Sequence, residues 1–240
     1  MQNFKPIHKF SVEVSGNFAC FTDPVSKVER SSYPAPTAGA LEYMMERIYV
    51  HPNVRYCINK VSILNPLKFY GMYMNERNYL GDVNLSTGEV NTPEADSPFQ
   101  RMTTYLRDVD YVVDFTMYYD KDYYRRNNLP VHADENAIKH VDQFARRLKK
   151  GQSEYNLVLG LSECAADFCE APKKFTPCAD INDAYYSLYK VVHLSDSKSA
   201  TAWTNVEIKN GVIDFRNSVI HMGKKEYTQE EFLNIDWRSR

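Results

Sequence analysis

The sequence predicts an α+β protein in which two helices cover one face of a four-stranded antiparallel sheet, followed by a small β-rich unit. Three observations predict it. Stretches that alternate apolar and polar residues, the period of a half-buried strand, surround two stretches whose apolar residues fall three and four apart, the period of a helix against a core. Their order is strand, helix, strand, strand, helix, strand. Beyond about Pro172 the character changes and strand-like stretches dominate.

The first strand lies in FSVEVSGNFACFTD, where Phe10, Val12 and Val14 alternate with polar residues, Gly16 interrupts, and Phe18 and Cys20 resume. A glycine inside a strand pattern marks a bulge or a close backbone approach. Thr37 can cap a helix running to about Tyr49, with Leu41, Met44, Met45 and Ile48 on its apolar side, and HPN ends it. YCINKVSILNPLKFY reads as a second strand, broken near Asn65 and Pro66. A long polar excursion over about residues 71–101 follows, of the length usually given to functional loops or small hairpins. LRDVDYVVDFTMYYD resumes the alternation as a third strand, and a tyrosine-rich link with Arg125 and Arg126 leads on.

The second helix spans Asn136 to Lys150. Ile138, Val141, Phe144, Ala145 and Leu148 form its predicted core stripe. At about 100° per residue, Lys139, Gln143, Arg146 and Lys150 share the outer stripe, with His140 and Arg147 along its flank. Asp134 or Asn136 could cap its start, and Gly151 suits the left-handed position after the last turn. This stretch carries a net +4 in a chain of net charge −2. Such a patch fits local docking of an anion, and equally a solvated helix face. NLVLGLSECAADF then reads as the fourth strand. The resulting order is the ferredoxin-like one, assigned to residues 1–172. Residues 173–240 read as a C-terminal β-rich subdomain, with strands in DAYYSLYKVVHL and TAWTNVEIKNGVIDFRNSVIHM and a turn at Lys209-Asn210-Gly211.

Composition narrows the function classes. A chain of 240 residues can bury a sizeable core. It has no run of roughly 18 apolar residues, and its start MQNFKPIHKF lacks the apolar core of a signal peptide, so a cytoplasmic protein with no membrane contact is expected. The five cysteines are scattered, with no C-x-x-C pair and no histidine at finger spacing. They argue for reduced, packed thiols rather than a zinc site or a disulfide framework, and no metal or cofactor is expected. Eighteen tyrosines offer faces for stacking on bases, but tyrosine is equally common in half-buried sheets.

Several stretches together resemble one family: FACFTDPVSKVERSSYPAPTAGALEYMMERIYVHP, FQRMTTYLRDVDYVV, KHVDQFARRLKKGQ and NLVLGLSEC. They are similar to the Cas-five-d family, the CRISPR-associated RAMP subunit of type I-C interference complexes, over roughly residues 10–170. The resemblance implies a ferredoxin-like (RRM/RAMP) domain with a C-terminal β subdomain. It also implies a metal-independent endoribonuclease that cuts CRISPR repeat RNA at the base of its hairpin and keeps the mature guide by its 5′ handle. The implied partners are that RNA and the backbone and large subunits of the type I-C surveillance complex. Carried over residue by residue, the implied catalytic set is Tyr49 of IYVHP with Lys139 and His140. The chain departs from the family pattern at Val50 and His51, where tryptophan and lysine are usual, and at Met74 and Ser162, where arginine is usual. His51 could replace a lost cation or join the active site.

The implied chemistry is physically sound without a metal. RNA supplies its own nucleophile, the 2′-hydroxyl, so cleavage to a 2′,3′-cyclic phosphate needs a base, a cation for the phosphorane and help for the departing 5′-oxygen. Lys139 beside His140 tends to lower the histidine pKa and favours a neutral base, Lys139 would stabilise phosphorane charge, and Tyr49 would orient the hydroxyl or donate to the leaving group. Without the resemblance, Tyr49 reads as a core residue at a helix end and His140 as a surface histidine. Lys27, Arg30, Arg77, Arg101, Arg146, Arg147 and Lys150 are candidates for phosphate contacts, and Phe18 and Phe21 for base stacking. The main alternative is a noncatalytic scaffold that grips the 5′ handle; a third reading is a phosphate-binding or protein-interaction module unrelated to RNA.

Overall fold

A computed structural model describes residues 3–26, 28–77, 82–83, 90–91, 98–130, 135–195 and 198–235. The elements in chain order are β1 (Lys5–Ala19), β2 (Arg30–Ser31), α1 (Ala38–Ile48), β3 (Val54–Ile63), β4 (Phe69–Arg77), β5 (Asp82–Val83), β6 (Val90–Asn91), β7 (Pro98–Tyr119), α2 (Tyr123–Arg126), α3 (Ala137–Lys150), β8 (Asp167–Glu170), β9 (Asp183–Ser195), β10 (Lys198–Lys209), β11 (Val212–Asp214), β12 (Ile220–Met222), β13 (Lys225–Tyr227) and α4 (Gln229–Leu233). The result is a mixed fold dominated by antiparallel sheet.

The 22-residue β7 is its spine. Its second half lies between β1 and β3, from Tyr111 opposite Val14 and Ile63 to Tyr119 opposite Lys5 and Val54. Tyr111, Val113, Phe115 and Met117 are all buried, as a central strand requires. Its first half pairs with β4, from Phe69 opposite Leu106 to Arg77 opposite Pro98. With β8 added to β1, the spatial order is β8-β1-β7-β3. Tyr56 of β3 meets both major helices, its ring 5.6 Å from Phe144 of α3 and its hydroxyl donating to the carbonyl of Tyr49 at 2.6 Å. The two helices therefore share one face of the sheet.

Local chemistry sets the boundaries. The Thr37 side chain accepts from the Ala40 amide and starts α1. Asn136 does the same for Lys139 at the start of α3, and Gly151, at φ 61°, ends it in the left-handed region. The second predicted strand breaks as expected into β3 and β4 around Asn65 and Pro66. Gly16 is a close approach rather than a bulge: its partner is Val109 in unbroken register, and a Cβ there would lie 2.7 Å from the Leu159 side chain.

The excursion over 71–101 is partly regular, since β4 and the start of β7 pair across it. Two expectations need correction. The segment NLVLGLSECAADF is not a continuous strand. It buries Leu157, Leu159 and Cys164 through isolated bridges, and a ladder forms only at Asp167–Glu170. The core stripe of α3 is rotated: His140, Phe144 and Leu148 are buried, whereas Ile138 is 72% exposed.

The C-terminal strands continue the same sheet. The Asn210-Gly211 pair, both at positive φ, closes a two-residue hairpin between β10 and β11, and β11 pairs with β3. Buried Glu42 of α1 accepts from Tyr189 Oη at 3.1 Å and pairs with Lys190 Nζ at 3.0 Å, tying the helix to β9. The five cysteines are free thiols. Among the described residues no helix is long and apolar enough to cross a membrane.

Candidate active site

The end of α1 and the start of α3 meet at one corner of the sheet. Tyr49 is the residue at which α1 stops, its backbone already extended at φ −148°. His140 lies in the first turn of α3, held there by the Asn136 cap. Tyr49 Oη stands 2.7 Å from His140 Nδ1, and His140 Nε2 stands 2.7 Å from Glu135 Oε1. Glu135 also accepts from Asn53 Nδ2 at 2.7 Å and Tyr119 Oη at 3.5 Å, while Lys139 Nζ lies 3.9 Å from its other oxygen.

A second imidazole completes the cluster. The His51 ring centre is 4.4 Å from that of His140. Its Nδ1 is hydrogen-bonded to Asn53 Oδ1, and its Nε2 lies 3.5 Å from Tyr124 Oη. Because the Asn53 amide donates to Glu135 through Nδ2, its oxygen faces His51 and accepts from Nδ1–H. The lone pair of a neutral His51 is then on Nε2, on the side of the Tyr124 hydroxyl.

Electrostatics fixes the proton positions. Burial lowers the His140 pKa below the ordinary histidine value, against the opposing pull of the Glu135 hydrogen bond. Burial and then the Glu135 charge push the Tyr49 phenol up to about 12. Burial opposes ionisation of Glu135, yet hydrogen bonds from Asn53 and His140 hold its carboxyl below the usual range. At neutral pH the set is therefore carboxylate, neutral imidazole and phenol. A carboxylate only accepts, so His140 donates through Nε2–H and its Nδ1 accepts from Tyr49. The chain of donation runs from Tyr49 to His140 to Glu135, the logic of a hydroxyl–imidazole–carboxylate relay.

The fold brings Tyr49, Lys139 and His140 together. His140 is not a surface residue: it is 0% exposed, because α3 turns the face of Phe144 and Leu148 inward and carries His140 with it. Tyr49 is 8% exposed.

Arg147 is partly buried and already engaged within the chain. It donates to the Ile48 carbonyl at 2.7 Å, pairs with Glu154 at 2.7 Å and lies 5.1 Å over the Tyr49 ring. Phe21 is 2% exposed and packs near Tyr111, so its face is closed to bases. Arg146 and Lys150 are exposed, Arg30 and Arg101 half-buried, and Phe18 half-buried between Tyr70 and Tyr105. Lys27 and the side chain of Arg77 lie outside the described residues.

Glu135, Asn53, Tyr119 and Tyr124 were not singled out by sequence. Glu135 stands just before the helix cap, where a carboxylate is ordinary; Tyr119 and Tyr124 belong to a tyrosine-rich stretch in which neither stands out, and Asn53 lies 82 positions from Glu135.

Comparison with known proteins adds a family. A family model described as CRISPR-associated protein (Cas_Cas5), of the Cas5d type, matches residues 11–224. The CRISPR pre-crRNA endoribonuclease Cas5d of Thermus thermophilus is 34% identical over 160 residues, covering 67% of this chain and 63% of that relative, less than two thirds of its length. The protein of the same name from Mannheimia succiniciproducens is 28% identical over 220 residues, covering 86% of this chain and 94% of the relative. A solved structure of a CRISPR-associated protein aligns with a TM-score of 0.65 at 22% identity, over 89% of this chain and 94% of that one. A functionally uncharacterized protein from Streptococcus mutans aligns at 0.62 and 21% identity over the same shares. These two alignments bear on the fold alone.

Proposed function

The chain belongs to the Cas5d family of CRISPR-associated proteins, and from that premise we propose that it is a metal-independent endoribonuclease that cuts CRISPR repeat RNA at the base of its hairpin. It then stays on the 5′ handle as a cytoplasmic subunit of the type I-C surveillance complex, beside the backbone and large subunits. The order β8-β1-β7-β3 with both major helices on one face supports a ferredoxin-like RAMP domain over residues 1–172, with residues 173–240 as its β-rich C-terminal subdomain.

The observation that carries this reading is the Tyr49–His140–Glu135 relay. Since His140 is wholly enclosed, it works through Tyr49. The proton leaving the 2′-hydroxyl passes to Tyr49 Oη as the phenolic proton passes to His140 Nδ1, and Glu135 stabilises the imidazolium that forms. Neither a phenol with a pKa near 12 nor a buried imidazole suits this task alone, whereas the coupled pair never requires a free phenolate. The Lys139 ammonium would stabilise the charge that develops on the phosphorane, and the departing 5′-oxygen takes its proton from water. Arg146 and Lys150 give the RNA backbone a sequence-independent track.

The test is incubation of the protein, in excess chelator, with its repeat RNA and with the same RNA carrying a 2′-deoxy substitution at the cut site. The expected result is one cut ending in a 2′,3′-cyclic phosphate, abolished by the deoxy substitution. Binding without cutting would leave the scaffold alternative, and absence of salt-sensitive binding would overturn both.

A further inference from the structure

We propose that His51, Glu135 and His140 form a binding site for a late first-row transition-metal ion such as Zn²⁺, and that occupancy of this site switches off cleavage. The effect on cleavage rests on the relay described above; the binding site itself does not.

The three side chains each offer one ligand atom, all within 4.8 Å of one another. Two imidazoles and a carboxylate are a donor set that suits Zn²⁺ or Co²⁺ and not Mg²⁺. Donors about 2.0–2.2 Å from a tetrahedral ion lie about 3.3 Å apart. The His140–Glu135 contact of 2.7 Å therefore needs to open by only about half an ångström.

The supporting shell is already built. One Asn53 amide holds both His51 Nδ1 and Glu135 Oε1, and Tyr49 Oη holds the far nitrogen of His140. Metal-binding histidines characteristically carry such a second hydrogen bond. Tyr124 Oη lies 3.5 Å from His51 Nε2. Lys139, 3.9 Å from Glu135, opposes a second cation, so only an ion that bonds strongly to imidazole competes.

The consequence for the relay follows from the tautomer. A metal on His140 Nε2 moves the imidazole proton to Nδ1, which then donates to Tyr49 Oη. The hydrogen bond reverses, and Tyr49 loses the acceptor for its own proton. The ion would thus block cleavage without touching the RNA track.

The experiment titrates the purified full-length protein with Co²⁺ and follows its visible ligand-field absorption. One ion should bind, Zn²⁺ should displace it, and Mg²⁺ should not. His51→Ala should weaken Co²⁺ binding by at least about tenfold, while Cys169→Ser, which removes an exposed thiol, should leave it unchanged. Absence of binding, or equal binding by the His51→Ala protein, would overturn the site even if cleavage proceeds normally. In parallel, Zn²⁺ should inhibit cleavage over the range in which it binds, with reversal by chelator. The inhibition midpoint of His51→Ala, judged against its own metal-free rate, should rise by a similar factor. Binding without inhibition would overturn the tautomer switch, and a protein that binds Co²⁺ but never cuts RNA would fail the proposed function while leaving the site standing.

Discussion

The hydroxyl of Tyr49 lies 2.7 Å from Nδ1 of His140, joining residues 91 positions apart at the ends of two helices. Neither group is well placed for chemistry alone: the imidazole is enclosed, and the phenol holds its proton too tightly. Their contact aims the phenolic proton at a buried imidazole that is itself held by a carboxylate.

Tyr49→Phe and His140→Ala should each slow single-turnover cleavage by about 100- to 10,000-fold, with RNA affinity little changed. Because the two act as one path, the double variant should be little slower than the worse single one. Gel-resolved single-turnover rates check this, and simple additivity would remove the relay.

Glu135→Gln tests the positioning role. Its amide can donate to His140 Nε2 and so favours the tautomer that cannot accept from Tyr49; a similar exchange in a serine-protease triad costs about 10,000-fold. A loss of at least about 100-fold is expected here. Nitrogen NMR of His140 supplies a readout that a merely structural role would not move: the proton should shift from Nε2 to Nδ1.

Asp120 should make stability depend on acid. Burial works against its ionisation, but Arg126 and the backbone amides of Asn3 and Asp122 outweigh this and hold its pKa below the ordinary value. A depressed carboxylate contributes its full stability above the unfolded pKa, about 4, and loses it as pH falls through the folded value. Asp120→Asn should cost about 1.5–3 kcal/mol at pH 7. In urea denaturation the gap between variant and wild type should narrow below about pH 4.

The Glu42–Lys190 pair should couple α1 to β9. Lys190→Met leaves Glu42 buried beside the Tyr189 hydroxyl and should cost about 3 kcal/mol. Replacing both, as Glu42→Gln with Lys190→Met, should recover most of that loss, since an unpaired buried charge is the chief penalty. Urea midpoints of the two variants check it.

Much of this molecule is legible from short-range pattern. The order of strands and helices follows from side-chain period, the limits of α1 and α3 from Thr37, Asn136 and Gly151, and the β10–β11 hairpin from Asn210-Gly211. The segment from Asn156 to Phe168 misleads because burial of Leu157 and Leu159 leaves the same apolar signature whether or not a ladder forms. The rotation of α3 escapes for a related reason. Ile138 has the right spacing for the core stripe, yet the first turn faces Glu135 and Tyr49, where a histidine with two hydrogen-bond partners is buried instead.

By itself the sequence determined the strand and helix order and the capping points, and through family likeness it pointed to the trio Tyr49, Lys139 and His140. Only the tertiary structure decided that His140 is enclosed, that Arg147 lies against the Tyr49 ring, and that Glu135, Asn53 and His51 surround the same imidazole. Period and capping are properties of neighbouring residues. Proton positions and ligand sets depend on atoms a few ångströms apart from segments distant in the chain, which no local pattern encodes.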